Sequence, residues 1–386
     1  MKKIYRKIHL WLSVPFGIII TLICFSGSML VFEKEITEWC QPEVYYVTEV
    51  KEKTLPIEKI MHTVSATLPD TVSVTGVVIS PEKDRTWQVN LSKPRRASVY
   101  VNPYTAEITG KSDRLPFFDM MFKLHRWLMG SASNPDGSMS LGKLIVGISV
   151  IMFVIVIISG MLIWLSKNRK SIKKSMKLSV TKGWKRFLHD LHVAGGIYAT
   201  IILLAMALTG LTWSFSWYRT GFYSLCGVET SAHRNQQKTP TKESRKDHGH
   251  NKNGRHGRNK AEHGREQKSP YRHWQNTVEK VAETNPGYRQ ITVSDTIVAV
   301  VPAGQQSLRA SDKYTFDKRT GEIKSVKLYK DEDKSSKVRS WVYMVHVGSW
   351  GGIVTRILWF FAALLGATLP LTGYYLWIKR LIKKKH

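Results

Sequence analysis

Residues 9–27, HLWLSVPFGIIITLICFSG, are the segment from which the class of protein is most easily recognised. It contains no Lys, Arg, Asp or Glu, and at ~1.5 Å rise per residue such a helix can cross a hydrocarbon core of ~30 Å. Four apolar blocks of this kind occur along the chain, namely Leu10–Phe32, Leu141–Leu165, Val193–Tyr218 and Gly351–Ile378. They exclude an ordinary soluble protein and predict a membrane α-helical protein with four transmembrane helices and both termini on one side.

The charge of the chain indicates its orientation. Its 386 residues include 58 Lys or Arg and 29 Asp or Glu, a net charge of +29. Residues 1–8, 166–188 and 379–386 hold eighteen of the basic residues and no acidic residue. This distribution predicts that both termini are cytoplasmic and that segments 33–140 and 219–350 lie outside. The high charge therefore reflects topology, and without a nucleic-acid-binding motif we expect no nucleic-acid partner.

The sequence contains an internal duplication. In residues 192–210, HVAGGIYATIILLAMALTG, a histidine precedes a glycine by 18 residues, as it does in residues 9–27. The second and fourth blocks end alike, in SGMLIW and TGYYLW. Outside the membrane, residues 55–68 and 271–284 have helical spacing, and residues 71–110 and 291–327 alternate as strands do. We therefore predict two parallel repeats about a pseudo-two-fold axis, each with a small α+β outer domain.

The predicted order of segments follows from these patterns. The basic leader is interpreted as an uncleaved anchor and not a signal peptide, because its apolar block is too long and no small-residue cleavage site follows. Residues 231–269 are nearly free of apolar side chains and are interpreted as a solvated linker. The segments are the first span with its leader (1–32), an outer domain (33–115), a histidine segment (116–140), the second span (141–165), a basic cytoplasmic loop (166–188), the third span (189–218), a basic insert (219–269), a second outer domain (270–336), a histidine segment (337–350), the fourth span (351–378) and a basic tail (379–386).

Five of the 13 histidines lie at membrane boundaries. Singly, an interfacial histidine can simply lie among lipid headgroups. If the halves are related by a two-fold axis, however, His9 faces His192 near the inside and His125 faces His346 near the outside. Two neutral imidazoles converging across a gap suit the two axial faces of a haem iron. The pairing predicts two haem b groups, with His189 as an alternative inner ligand because it lies three residues before His192.

Other side chains near these positions have less specific interpretations. Arg126 and Arg356 are candidate partners for haem propionates. Cys40 and Cys226 follow their spans at equivalent distances, so they either form a disulfide or remain two free thiols. Cys24 is most simply a packing residue.

Taken together, the residues resemble the PepSY-associated transmembrane family. The similarity rests on HLWLSVPFGIII, DLHVAGGIY, LHRW, HVGSWGG and the hairpins YVNPYTAEI and TFDKRTGEI, and it spans nearly the whole chain. The resemblance implies a multi-pass protein of the bacterial inner membrane with two periplasmic PepSY-like domains, and His9, His125, His192 and His346 as haem ligands. Asn102 and Ala106 depart from the family, which usually has Asp and Gly there, and the basic insert is long.

The function implied by this resemblance is that of a haem-dependent ferric-chelate reductase. Electrons from a cytoplasmic donor or the quinone pool would pass through the two haem sites and reduce ferric siderophores or other ferric chelates outside. The alternative is a non-catalytic PepSY-domain membrane protein that binds or regulates an envelope partner. A transporter would require polar residues in mid-span, where the sequence has almost none.

Overall fold

The computed structural model describes residues 2–94, 97–228 and 269–385. In chain order its helices are α1 (Lys2–Leu30), α2 (Glu33–Cys40), α3 (Pro42–Tyr45), α4 (Ile57–Thr67), α5 (Pro116–Trp127), α6 (Leu141–Leu165), α7 (Arg169–Ser175), α8 (Trp184–Asp190), α9 (Gly196–Ser214), α10 (Ser216–Leu225), α11 (Trp274–Thr284), α12 (Lys334–Val347) and α13 (Gly352–Lys385). The strands are β1 (Val74–Ile79), β2 (Trp87–Leu91), β3 (Ser98–Val101), β4 (Ile108–Lys111), β5 (Gln290–Ser294), β6 (Ile297–Val301), β7 (Asp312–Phe316) and β8 (Ile323–Lys327).

Within the described residues, four helical stretches are long and apolar enough to cross a membrane. They are α1, α6, the continuous helix from α8 to α9, and α13. α1 packs against α6 and α13, and α9 packs against the same two helices. Their shared interior is apolar and includes Ile20, Phe153, Ile157 and Leu203. This confirms the prediction of a membrane helical protein with four candidate spanning helices.

The third span differs from its prediction at both ends. The helix begins at Trp184, before the apolar block, and passes through a π-helical turn at Leu191–Gly195. It ends at Ser214 instead of Tyr218, because Phe215 is extended and buries its ring where a Cβ on Gly147 would otherwise lie. α10 then occupies the first residues of the predicted basic insert, and residues 229–268 of that insert lie outside the described residues.

The two predicted outer segments form a single sheet. Its order is β4-β3-β2-β1-β5-β6-β7-β8, and every neighbouring pair is antiparallel. β1 and β5 join the halves in the register Val77↔Val293. Each of these strands would be an exposed edge in a separate domain, so their pairing satisfies both edges. Helices α4 and α11 share one hydrophobic core beneath the joined sheet, which the expectation of two separate small domains did not include.

The hairpin turns tolerate the two departures from the family pattern. Asn102 accepts a hydrogen bond from the backbone N–H of Tyr104 through its side-chain oxygen, as Asp317 does from Arg319 in the second hairpin. Ala106 has φ 63°, in the left-handed region. Its N–H still donates to the Asn102 carbonyl at 2.9 Å, so the turn closes without glycine.

Glu332 secures the connection from β8 to α12. Lys313 and Lys327 donate to its carboxylate at 2.6 and 3.1 Å, and these bonds lower its pKa to about 2 from an ordinary value of 4.5. A carboxylate with a lowered pKa stabilises the fold fully above its ordinary pKa, and this contribution is lost as the pH falls towards 2.

Replacing Glu332 with glutamine is therefore expected to lower the melting temperature by a few degrees at neutral pH. The difference in melting temperature between the two proteins should be constant above about pH 5.5. It should shrink below about pH 4.5, because Glu332 of the native chain becomes protonated as the pH falls towards 2 and loses its stabilising charge. Thermal unfolding of both proteins across this pH range checks the result. A difference that grows on acidification would contradict it.

Candidate functional site

The boundary histidines lie in two pairs. His9 on α1 and His192 in the π-helical turn have ring centroids 6.3 Å apart and planes at 82°. We call them the terminal-side pair, because they lie at the end of the bundle that carries the chain termini. His125 at the end of α5 and His346 at the end of α12 have centroids 6.1 Å apart and planes at 52°, and form the sheet-side pair.

Short helices carry the sheet-side pair to the bundle. α5 follows β4 and is capped by Leu128, which has a left-handed conformation, while α12 follows β8 and is capped by Gly348, also left-handed. Such residues end a helix and turn the chain sharply. Trp213 of α9 packs against His346 with a centroid distance of 5.1 Å.

All four rings are anchored in the same way. In each, Nδ1 lies 2.9 to 3.1 Å from a main-chain carbonyl oxygen of a long helix. The bonds are from His9 to Val156, from His125 to Ile23, from His192 to Leu369, and from His346 to Met206. A carbonyl oxygen can only accept, so Nδ1 carries the proton and Nε2 keeps its lone pair. This is the tautomer in which metal-binding histidines are held.

A glycine lies beside each anchored ring. Every accepting carbonyl belongs to the residue four positions before a glycine, and each glycine follows a serine or threonine. A Cβ built on these glycines would come within 2.8 to 3.3 Å of Cε1 of the ring. The contacts are Gly27 with His125, Gly160 with His9, Gly210 with His346, and Gly373 with His192. A side chain at Gly27 would therefore force the ring to shift, and a side chain at the other three positions would crowd it.

In three of the four sites, the hydroxyl of the residue before the glycine also contacts Nδ1 of the ring. Nδ1 of His9 lies 3.2 Å from the Ser159 hydroxyl, and His192 and His346 have equivalent contacts with Thr372 at 3.0 Å and Thr209 at 3.2 Å. Ser26 instead donates to the Leu22 carbonyl of its own helix at 2.6 Å. In the sequence the SG and TG dipeptides indicated duplication, and their contact with the histidine rings was not predicted. Their recurrence on all four spans was the signal that could have revealed it.

The spacing of each pair suits one metal atom between two rings. Nε2 of these histidines has no hydrogen-bond partner within the part of the chain that the structure describes. Centroid separations of 6.3 and 6.1 Å leave room for one metal atom between the rings of each pair, given nitrogen–metal bonds of about 2 Å. The described residues contain no cluster of three or more His, Cys, Asp or Glu, so each pair offers two protein ligands only. Two histidine side chains held in this way would fit as the protein ligands of a haem iron.

His189, the predicted alternative inner ligand, contacts a carboxylate. Its Nδ1 lies 3.2 Å from one carboxylate oxygen of Asp190, and Arg186 donates to the other oxygen at 2.9 Å. About half of the His189 side chain is exposed. The structure therefore brings His192 next to His9 and gives His189 a carboxylate partner.

Arg126 and Arg356, the two predicted propionate partners, have different surroundings in the structure. Arg126 lies over the rings of Phe122 and Trp127, beside the sheet-side pair. Arg356 forms a bidentate ion pair with Glu35 and donates to the Val31 carbonyl. The Arg356 guanidinium therefore connects α13 to α2. Its position does not support the expected contact with a propionate.

The cysteines are free thiols in the structure. Cys40 and Cys226 are both exposed, so of the two alternatives the structure has the unpaired one. Cys24 lies in the interior of the bundle, where its sulfur would be 3.1 Å from a Cβ on Gly366. It therefore has a packing role.

Comparison with known families agrees with the resemblance noted in the sequence. The sequence model described as the PepSY-associated TM region matches residues 6–380. The chain belongs to the PepSY-associated transmembrane family. This PepSY-associated match includes both histidine pairs and all four glycine contacts, as well as the sheet. A comparison with curated proteins gave no match.

Proposed function

We propose that this chain is a di-haem b electron-transfer protein of the bacterial inner membrane that reduces ferric chelates outside the cytoplasm. The observation that carries the proposal is the pair of histidine sites, at opposite ends of one helix bundle, with the same anchoring of all four rings. The three basic stretches favour cytoplasmic termini, which puts the sheet outside.

His9 and His192 would hold one haem, and His125 and His346 the other. When bound, these groups supply reversible one-electron chemistry. The carbonyl partners keep Nδ1 protonated, so each ring presents a neutral nitrogen lone pair and its orientation is fixed. Because each pair would supply two histidine ligands, a haem held there would supply electron transfer and not oxygenase chemistry.

The glycine contacts also support an internal two-fold relation. Gly27 of α1 receives His125 from α5, and Gly210 of α9 receives His346 from α12 in the same manner. Each glycine lies 18 residues beyond the histidine of its own helix, a rise of about 27 Å. The two sites are therefore at different depths, near opposite faces of the membrane.

The bundle interior between these depths suits electrons and excludes ions. It is filled by apolar side chains such as Ile20, Phe153, Ile157 and Leu203. A charged solute would have to enter this interior without compensating polar groups, which is costly. An electron crosses without such a path, so the bundle separates electron movement from solute movement.

A ferric chelate is the acceptor that this arrangement favours. One electron converts Fe(III), which prefers hard oxygen donors, to Fe(II), which such donors hold less tightly. The electron comes from a cytoplasmic reductant or a quinol, which is oxidised in the same exchange. The iron is then released on the outer side.

Vesicles containing the purified chain test this function. With dithionite sealed inside and ferric citrate outside, the native chain is expected to produce external Fe(II), measured by a membrane-impermeant Fe(II) dye. His192→Ala should reduce the rate to that of protein-free vesicles. The exposed His62→Ala is the control and should keep the native rate. Equal rates for the native and His192→Ala chains would refute the proposal.

A further inference from the structure

A cavity of about 200 Å³ lies between β7, the loop before it, and α12. Its walls include Arg309, Lys313, Glu332, Ser336, Arg339 and Ser340. None of these residues belongs to the histidine pairs or their anchors. The cavity is on the sheet side, where the proposed acceptor would arrive.

The cavity carries an excess of positive charge. Glu332 is its acidic wall residue, and Lys313 and Lys327 already bind that carboxylate. Arg309 and Arg339 have no carboxylate within ion-pair distance among the described residues. The Arg309 guanidinium instead lies 3.8 Å from the ring centre of Tyr343. Two guanidinium groups are thus available to an anion.

Hydroxyl groups add neutral donors to the same wall. Ser336 and Ser340 are four residues apart on α12 and therefore lie on one face of that helix. Neither hydroxyl has a hydrogen-bond partner within the described ranges, so both can bond to a ligand in the cavity. Serine hydroxyls together with guanidinium groups make strong, directional bonds to anionic oxygen atoms.

We infer that this cavity binds an anionic oxygen ligand, and that the ligand is a small carboxylate-based ferric chelate. The second half of this inference rests on the proposed function. A volume of 200 Å³ is below the range of about 300–1,000 Å³ for drug-sized sites, so the cavity matches a small polycarboxylate in size. Carboxylates are also hard donors that hold Fe(III).

The cavity lies near the sheet-side pair. Ser340 is six residues before His346 on α12, a rise of about 9 Å. Tyr343, beneath Arg309, is three residues before His346 and so lies about one turn from it on the same helix. A chelate held by the two arginines would be close to the proposed outer haem ligand.

Titration with gallium(III) citrate tests the inference. Gallium(III) resembles iron(III) in charge and donor preference and is not reduced, so binding is measured without electron transfer. The full chain in phosphatidylcholine nanodiscs is expected to bind one equivalent by calorimetry. Arg309→Gln and Arg339→Gln should each weaken binding by about tenfold or more.

The matched control is Arg319→Gln, which removes an exposed arginine from the β7–β8 turn, away from the cavity. It should bind as the native chain does. Native affinity in both cavity variants, or an equal loss in Arg319→Gln, would overturn the inference. Unfolding is excluded by requiring native melting temperatures for all three proteins.

A lipid phosphate has the same anionic oxygen chemistry, so a second titration uses nanodiscs containing phosphatidylglycerol. Unchanged affinity for gallium citrate supports the chelate as the ligand. Loss of the binding in these discs identifies a headgroup as the occupant and overturns the chelate assignment. Because the probe needs no haem, a red protein that does not bind gallium citrate overturns this inference alone, and a colourless protein that does bind it overturns the proposed function alone.

Discussion

Replacing His346 with alanine is expected to halve the haem content, from two groups per chain to one. The substitution removes one of the two histidines of the sheet-side pair, which would hold one haem, and leaves the terminal-side pair intact. Closed haem sites of this kind depend on both ligands. The haem-to-protein ratio and the Soret absorbance of purified protein measure the effect.

His62→Ala is the control for this loss. His62 is an exposed histidine of α4, hydrogen-bonded to Ser269 and remote from both pairs. Its replacement should leave both haems bound. A His346→Ala chain that retains two haems and an unchanged spectrum would refute the assignment of His346 as a ligand.

Introducing a side chain at Gly27 is expected to have an effect nearly as large. The first carbon of a valine would already lie 2.8 Å from Cε1 of His125, so the ring must leave its place on α1. The bond from Nδ1 to the Ile23 carbonyl is then lost, and with it the orientation of Nε2. Gly27→Val should therefore lose the sheet-side haem, or shift its reduction potential, while the terminal-side haem is unaffected. Redox titration of the haem absorbance distinguishes the two sites.

Gly221→Val provides a matched control for this substitution. No atom lies within 4 Å of a Cβ at Gly221, so α10 accepts the larger side chain without displacing a neighbour. Both haems should titrate as in the native chain. If Gly27→Val also titrates normally, the glycine contact has no part in holding the histidine.

The histidine pairs could be predicted from the sequence because they follow from duplication. The equal spacing from His9 to Gly27 and from His192 to Gly210 relates two helices without any knowledge of their packing. The histidine that packs on each glycine could not be predicted, because its ring comes from a different helix. His125, for example, is 98 residues from the glycine it covers.

The joined sheet shows a similar limit. Alternation predicts β1 and β5 as strands, but their pairing connects positions more than 200 residues apart, such as Val77 and Val293. Local patterns identify a strand and its apolar face, and they do not identify the neighbour that covers its edge. The ion pair of Arg356 with Glu35 is also long-range, so sequence position alone suggested a propionate as the partner.

The presence of two haems is tested most directly by the reduced-minus-oxidised absorbance spectrum of the purified chain, combined with its haem-to-protein ratio. We expect b-type bands and two haems per chain. A colourless protein from haem-replete cells would contradict this expectation and favour the alternative of a membrane protein that binds an envelope partner.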